Sequence, residues 1–276
     1  MKRAAPLALA LSLASALSLA ACSNSTASGG STPVITSGAV RFINASPDGL
    51  VVDVAIGTAG HPVFLSVPYA GNTGSNYGFT PYAHYVGPSQ NIYVYPSGQD
   101  SSPLALNLSS VPIVPGGRTT VVLTGQKQEN TLKLVTFAEH IFQTASGAAA
   151  VSFHDASTTE SGPFNVGYTP ASSTSQRTSI GTASPANPAG QPVFLANLPQ
   201  SVASVGINFY AQGAGSGSSQ LNLLPNHVDP SNANNQMPAN LNGNPNADQN
   251  LSVYVIDGPG PPAGSPTLIG IFDPNG

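Results

Sequence analysis

Four segments of this chain recur in unchanged order, and a fold that satisfies one copy must satisfy the other. Ala39–Ser46 (AVRFINAS) is echoed by residues 150–157 (AVSFHDAS), so that Val40, Phe42, Ala45 and Ser46 match Val151, Phe153, Ala156 and Ser157. AGHPVFL at 59–65 returns as AGQPVFL at 189–195, and IYVYPSGQDSSPLALNL at 92–108 returns as INFYAQGAGSGSSQLNL at 207–223. TTVVLTG and LKLVTF, within 119–137, have counterparts in LSVYVIDG and TLIGIF, within 251–272. Repetition at this spacing marks a duplicated structural unit. We read two tandem domains, residues 38–144 and 145–276.

The unit is built of strands. Twenty-nine glycines and 26 prolines are scattered among short Val, Ile, Leu and Tyr runs, and each costs an interior helix about 1 and 3 kcal/mol respectively. Long helices are therefore excluded. Each copy holds several short β-rich runs separated by turn signals, the pattern of a two-sheet sandwich. In LVVDVAI, Val52, Val54 and Ile56 share one face, and Asp53 and Ala55 the other, which we place outward. In NIYVYP, Ile92 and Val94 oppose Tyr93 and Tyr95, while TTVVLTG and LSVYVID place threonine, serine or tyrosine on what should be the more solvated side. Ser46-Pro47-Asp48-Gly49 is a turn with a mechanism, since proline presets φ and glycine tolerates a left-handed one.

The N-terminus has a different character. Met1-Lys2-Arg3 precedes an Ala/Leu/Ser run that ends at Cys22, the single cysteine of the chain. A basic start followed by a short apolar stretch is an export signal, and the run is too diluted by serine and proline for a membrane span of about 20 apolar residues. Leu19-Ala20-Ala21-Cys22 resembles the lipobox of bacterial lipoproteins, which implies cleavage before Cys22 and lipidation of its thiol. Residues 1–21 are then a lipoprotein signal peptide. Two or three acyl chains, at about 0.8 kcal/mol per buried methylene, hold a protein stably at a bilayer. Residues 22–37 (CSNSTASGGSTPVITS) carry too little apolar surface to fold and form a flexible tether after the lipidated cysteine. Ser23, in place of aspartate, resembles the outer-membrane sorting pattern, which favours that membrane if the host is Gram-negative.

Charge narrows the partners. Without Lys2 and Arg3 the chain keeps 5 basic against 11 acidic residues, a net charge of −6, which repels nucleic acid. Charged residues make up only 7% of the chain, against roughly 25% in ordinary domains, so its surface is made of neutral polar groups, glycine and proline. The short signatures of hydrolases, metalloproteases and nucleotide-binding loops are missing from the sequence. His61, His84, His140, His154 and His227 show no metal-ligand spacing. Asp48 with Asp53, and Asp155 with Glu160, are the acid pairs conceivable for glycoside hydrolysis, but the two pairs do not superpose under the repeat. We expect no enzyme activity, no cofactor and no metal.

VRFINASPDGLVVDV resembles the opening of the bacterial family of domains of unknown function numbered 4397, in which an N-A-S-P-D turn joins two strands. The Tyr77 stretch and IYVYPSG fit that family's middle, whereas the second copy departs, with HDASTTESG in place of NASPDG. The resemblance implies an immunoglobulin-like sandwich in an exported, often lipid-anchored protein, and carries no catalytic residues. The tyrosine-rich stretch then supplies the contact candidates: Tyr77, Phe79, Tyr82, His84 and Tyr85, facing an envelope protein or glycan. The blander role for such tyrosines is to cover a sheet face. Two loops of the second domain, 170–190 and 225–250, are long enough to be functional or disordered, and disorder is expected for the asparagine-rich one. The functional expectation is a non-catalytic, lipid-anchored envelope protein with a binding or structural role. The alternatives are a periplasmic carrier or assembly factor with an apolar pocket, and an enzyme acting on envelope glycans, which would need clustered carboxylates or a buried His-carboxylate pair.

Overall fold

The alternation of apolar and polar residues produces strands throughout. The computed structural model describes residues 37–71, 78–139, 149–158, 164–170, 178–183, 207–213, 221–222, 249–259 and 264–274. Cys22, the tether and Tyr77 lie outside the described residues. In the first half the strands are β1 (Ser37–Asn44), β2 (Val52–Ile56), β3 (Phe64–Val67), β4 (Ala83–Val86), β5 (Ser89–Pro96), β6 (Ser110–Pro112), β7 (Arg118–Thr124) and β8 (Lys133–Glu139). The second half adds β9 (Ala149–Asp155), β10 (Phe164–Pro170), β11 (Thr178–Ala183), β12 (Ile207–Gly213), β13 (Leu221–Asn222), β14 (Gln249–Gly258) and β15 (Gly264–Pro274). Residues 178–183, inside a segment expected to be a loop, thus form a strand. The 225–250 loop lies outside the described residues up to Gln249, where β14 begins.

Two four-stranded sheets, β4-β1-β7-β8 and β3-β2-β5-β6, make the first sandwich. Their facing sides are the apolar sets read from the sequence: Val40 and Phe42 of β1, Val52, Val54 and Ile56 of β2, Ile92 and Val94 of β5, Val121 and Leu123 of β7. All are buried, and each large aliphatic side chain so placed contributes about 1.5–3 kcal/mol. The second half has a three-stranded sheet, β15-β14-β9, and a four-stranded one, β11-β10-β12-β13.

The duplication extends to strand register. β1 runs parallel to β7 with Val40 opposite Thr119 and Phe42 opposite Val121; β9 runs parallel to β14 with Val151 opposite Leu251 and Phe153 opposite Val253. The Ala45 amide donates to the Leu123 carbonyl at 2.7 Å and the Ala156 amide to the Val255 carbonyl at 2.9 Å, which are equivalent bonds in the two halves. Likewise Val54 opposes Val94 where Tyr168 opposes Phe209.

The outer faces behave differently from expectation. Thr120 and Thr124 of β7, and Ser252 and Tyr254 of β14, are buried rather than solvated, because the β4-β1-β7-β8 sheet packs its second face on the β15-β14-β9 sheet. Ile43, Val122 and Phe137 meet Tyr254, Ile256, Ile269 and Ile271 in one apolar cluster, and Thr36–Gly276 form a single compact unit. Asp53 is also buried, at 3% exposure. Its carboxylate accepts from the Ser66 amide at 2.6 Å, the Gly98 amide at 2.8 Å and the Ser97 hydroxyl at 3.1 Å. It therefore pins β3 and the turn after β5 over the face expected to point outward. Although burial opposes its ionisation, these bonds hold its carboxyl below the usual range.

Candidate functional site

Alternation along β1 sends Arg41 to the side opposite Val40 and Phe42, into the seam between the two central sheets. Its Nε donates to Thr120 Oγ1 at 2.9 Å, and its Nη2 donates to the Tyr254 hydroxyl at 2.8 Å and lies 3.5 Å from Glu139 Oε1. Glu139, at the end of β8, accepts from the Tyr254 hydroxyl and, on Oε2, from the Ser252 hydroxyl at 3.1 Å. His154 Nε2 stands 3.1 Å from the same oxygen. An ionised carboxylate only accepts, so Nε2 carries the hydrogen there. The His154 ring stacks on Tyr254 at 4.9 Å, and Phe137 lies 4.9 Å from the His154 ring on another side.

Burial alone would push the Glu139 carboxyl up. The charge and hydrogen bond of His154, the Arg41 guanidinium and the Thr120 hydroxyl outweigh it and hold the carboxyl well below the usual range. In an open cleft a histidine, carboxylate and tyrosine could relay a proton. Here the side chains of Arg41, Glu139 and His154 are only 2–3% exposed, both carboxylate oxygens are taken, and the neighbours are sheet side chains. The arrangement is a clamp between two sheets.

Tyr82 joins this cluster from outside. The Arg41 guanidinium lies 4.8 Å and that of Arg118 5.0 Å from its ring centroid, so its half-buried ring lies against both cations. Phe79 is 7% exposed and belongs to the apolar seam with Ile43 and Tyr69, which removes it from a contact surface. His84 is exposed and Tyr85 half-buried on β4, and Tyr85 packs against the first sandwich core. Of the five contact candidates, the described four thus divide between the interior and strand β4.

Asp48, Asp155 and Asp257 close turns. Asp48 accepts from the Ser46 hydroxyl at 2.7 Å and the Lys127 amide at 2.8 Å. Asp257 accepts from the Ser157 hydroxyl and from the Thr158 amide at 2.9 Å. Asn44, in the N-A-S-P-D turn, donates to the Leu50 and Val67 carbonyls at 2.6 and 2.9 Å and accepts from the Ser46 amide at 3.1 Å. Asp155 makes the equivalent bond to the Ser157 amide at 3.0 Å. No group of three His, Cys, Asp or Glu suited to a metal occurs among the described residues. A half-open cleft of about 380 Å³, lined by Leu104, Ala105, Lys127, Asn130 and Leu132, lies beside the β7–β8 turn.

The sequence signals missed at this site were Arg41 and Glu139. A lone arginine inside the apolar run of β1, in a chain with 7% charged residues, is the one hint that could have found it.

The fold and its sealed polar seam define an all-β sandwich protein. Residues 38–166 match the family described as Domain of unknown function (DUF4397), so the resemblance first carried by the N-A-S-P-D turn holds over that stretch, from β1 into β10. No curated protein matches the chain. Among solved structures, a leucine-rich repeat protein from Bacteroides thetaiotaomicron aligns with a TM-score of 0.21 and 13% identity over 68% of this chain and 23% of that one. A Streptococcal ancillary pilin aligns at 0.19 and 13% over 68% and 58%. A candidate cell adhesion protein from Parabacteroides distasonis aligns at 0.21 and 9% over 88% and 99%. At these TM-scores the overlaps carry no argument.

Proposed function

We propose that the chain is an exported envelope protein, held to a membrane by lipid on Cys22, that acts by binding or as a structural element and not by catalysis. The observation that carries the non-catalytic part is the closure of the Arg41–Glu139–His154–Tyr254 cluster. Among the described residues it is the buried His-carboxylate pair that the enzyme reading calls for, and the side chains of Arg41, Glu139 and His154 are 2–3% exposed between two sheets. Support for the anchor is the Leu19–Cys22 sequence after a basic, apolar leader. The partner is an envelope protein or glycan, and nucleic acid is disfavoured by the net charge.

The test is metabolic labelling with an alkyne fatty acid in the bacterial host, comparing the native chain with Cys22→Ser. Label on the native protein and its loss, together with release from the membrane fraction, in Cys22→Ser supports the anchor; unlabelled native protein overturns it. Incubation of the purified protein with envelope glycans tests the rest. Turnover that disappears in Glu139→Gln while the variant remains folded would establish the enzyme reading instead.

A further inference from the structure

We propose that the apolar pole around Ser37 rests on the lipid surface, so that the protein touches its membrane through the fold as well as through the anchor. This deepens the anchored reading above and rests on it. Ser37 is the first residue of β1, and its partner across the sheet is Val86. The Ser37 carbonyl accepts from the Gly116 amide at 2.8 Å, and the Pro88 carbonyl accepts from the Ile113 amide at 3.0 Å. The β4–β5 turn and the β6–β7 turn are thereby fixed on either side of the point where the chain enters the fold. A side chain at Gly38 would place its Cβ 2.4 Å from the Val114 carbonyl oxygen, so the second turn is pressed hard against β1.

What these turns present is apolar. Val86 is 62% and Val114 45% exposed, and Pro88, Pro112 and Pro115 are exposed beside them. Among the described residues, Arg118 is the charged side chain of this pole with access to solvent, and its cation suits anionic headgroups. The opposite ends of β1, β7 and β8 carry Asp48, Lys127, Glu129 and Lys133, all exposed or half-exposed. Among the described residues of the first half, the exposed charges thus collect at the far ends of β1, β7 and β8, which suits a fold whose near end meets a bilayer.

The occupant follows from connectivity. Fourteen uncharged residues separate Cys22 from Ser37, and the tether expected from their composition would reach about 20 Å. An anchor at Cys22 therefore delivers this pole, and not the charged one, to the headgroups. Rigid turns that insert a few apolar side chains about 5–10 Å into the interface add to an acyl anchor without replacing it.

The test uses the native lipidated protein in phosphatidylethanolamine/phosphatidylglycerol vesicles. Cys22 is the only native cysteine and is blocked by its lipid, so a thiol introduced by Val114→Cys, or at the opposite pole by Glu129→Cys, takes an environment-sensitive fluorophore alone. The expected result is loss of about half or more of the emission at position 114 with headgroup-region nitroxide lipids, and none at position 129, as an interfacial depth requires. Equal emission at both positions, while the protein floats with the vesicles, overturns the pole and leaves the anchor standing. If the native protein does not float, the anchor fails, and the same two labels are read on Cys22→Ser protein held through an N-terminal polyhistidine tag on nickel-chelating lipid: quenching at position 114 alone supports the pole, and equal emission overturns it. Energy transfer between labels at position 114 on separate molecules, without nitroxide quenching, assigns the surface to a second copy and overturns the proposal.

Discussion

Glu139→Gln isolates what the buried seam contributes. Glutamine keeps the shape of the side chain but removes the charge and leaves one acceptor oxygen, so its NH2 faces either the Tyr254 hydroxyl or the Ser252 and His154 donors. The Arg41 side chain, 2% exposed, then keeps its cation without the Glu139 charge 3.5 Å away. Breaking a buried pair in this way costs about 3–5 kcal/mol, a large part of the roughly 5–15 kcal/mol that holds a domain folded. At about 2–4 °C per kcal/mol for a unit of this size, melting falls by about 6–20 °C. Urea unfolding of Cys22→Ser protein, followed by far-UV dichroism and by tyrosine emission in a chain with no tryptophan, measures the loss. Adding Arg41→Met removes that buried cation, and the double variant should be more stable than Glu139→Gln alone. A loss under about 1 kcal/mol, the level of an exposed ion pair, would refute the clamp, and so would additive effects of the two substitutions.

Further outcomes follow from the same contacts. Because the Glu139 carboxyl sits well below its ordinary value of 4.5, the unfolded chain takes up a proton that the folded one refuses; stability is complete above that value and declines as pH falls through it, by up to about 1.4 kcal/mol per pH unit. Urea titrations at descending pH should show this slope reduced in Glu139→Gln, with Asp53 supplying a remaining part of the same sign. Asp257→Ala, at a carboxylate with 0% exposure, should cost about 3 kcal/mol, against about 1 kcal/mol for Asp48→Ala at its half-exposed turn, both read by chemical unfolding. Gly125→Ala, at φ +82 and with a Cβ that would lie 2.2 Å from the Thr131 carbonyl oxygen, should cost about 2–3 kcal/mol. Gly49→Ala, at φ +73 with nothing within 4 Å, should cost only about 1 kcal/mol, and thermal melts separate the two. Asn107→Ala removes a side chain that both accepts from and donates to Leu134 at 2.7 and 3.2 Å, and should raise amide exchange at the exposed edge of β8 at a cost of about 1–2 kcal/mol.

The first sandwich was legible because its core uses one face of each strand and that face is purely aliphatic. Val52, Val54 and Ile56 announce themselves by period, as do Ile92 with Val94 and Val121 with Leu123. The second face of the same strands was not. Period two puts Arg41 and Thr120 each opposite its own strand's aliphatic set, but nothing local says that another sheet will cover that side. Threonine, serine and tyrosine suit a solvated face as well as a hydrogen-bonded interior. Glu139 and Arg41 are 98 positions apart, and their encounter needs the β1–β7–β8 order to be known first. Phe79 was misplaced for a related reason: it sits in a tyrosine-rich run that reads as surface, yet its backbone bridges to Ile43, which carries the ring into the seam.

The duplication also explains where the copies diverge. In the first half a carboxylate on the turn after β1, Asp48, reaches across to the backbone after β7 at Lys127. In the second half the turn after β9 has lost that aspartate, and the carboxylate comes from the other side: Asp257, near the end of β14, reaches back to Ser157 and Thr158. Gly125 stands close to the place that Asp257 occupies in the repeat, at a left-handed φ of +82. Each half therefore ties the same two strand ends with one carboxylate, donated once from each strand. The tie meets one physical need, satisfying polar backbone where two parallel strands leave a sheet together. A motif written around N-A-S-P-D-G recognises one solution and passes over the other, although the strand pairing beneath them is the same.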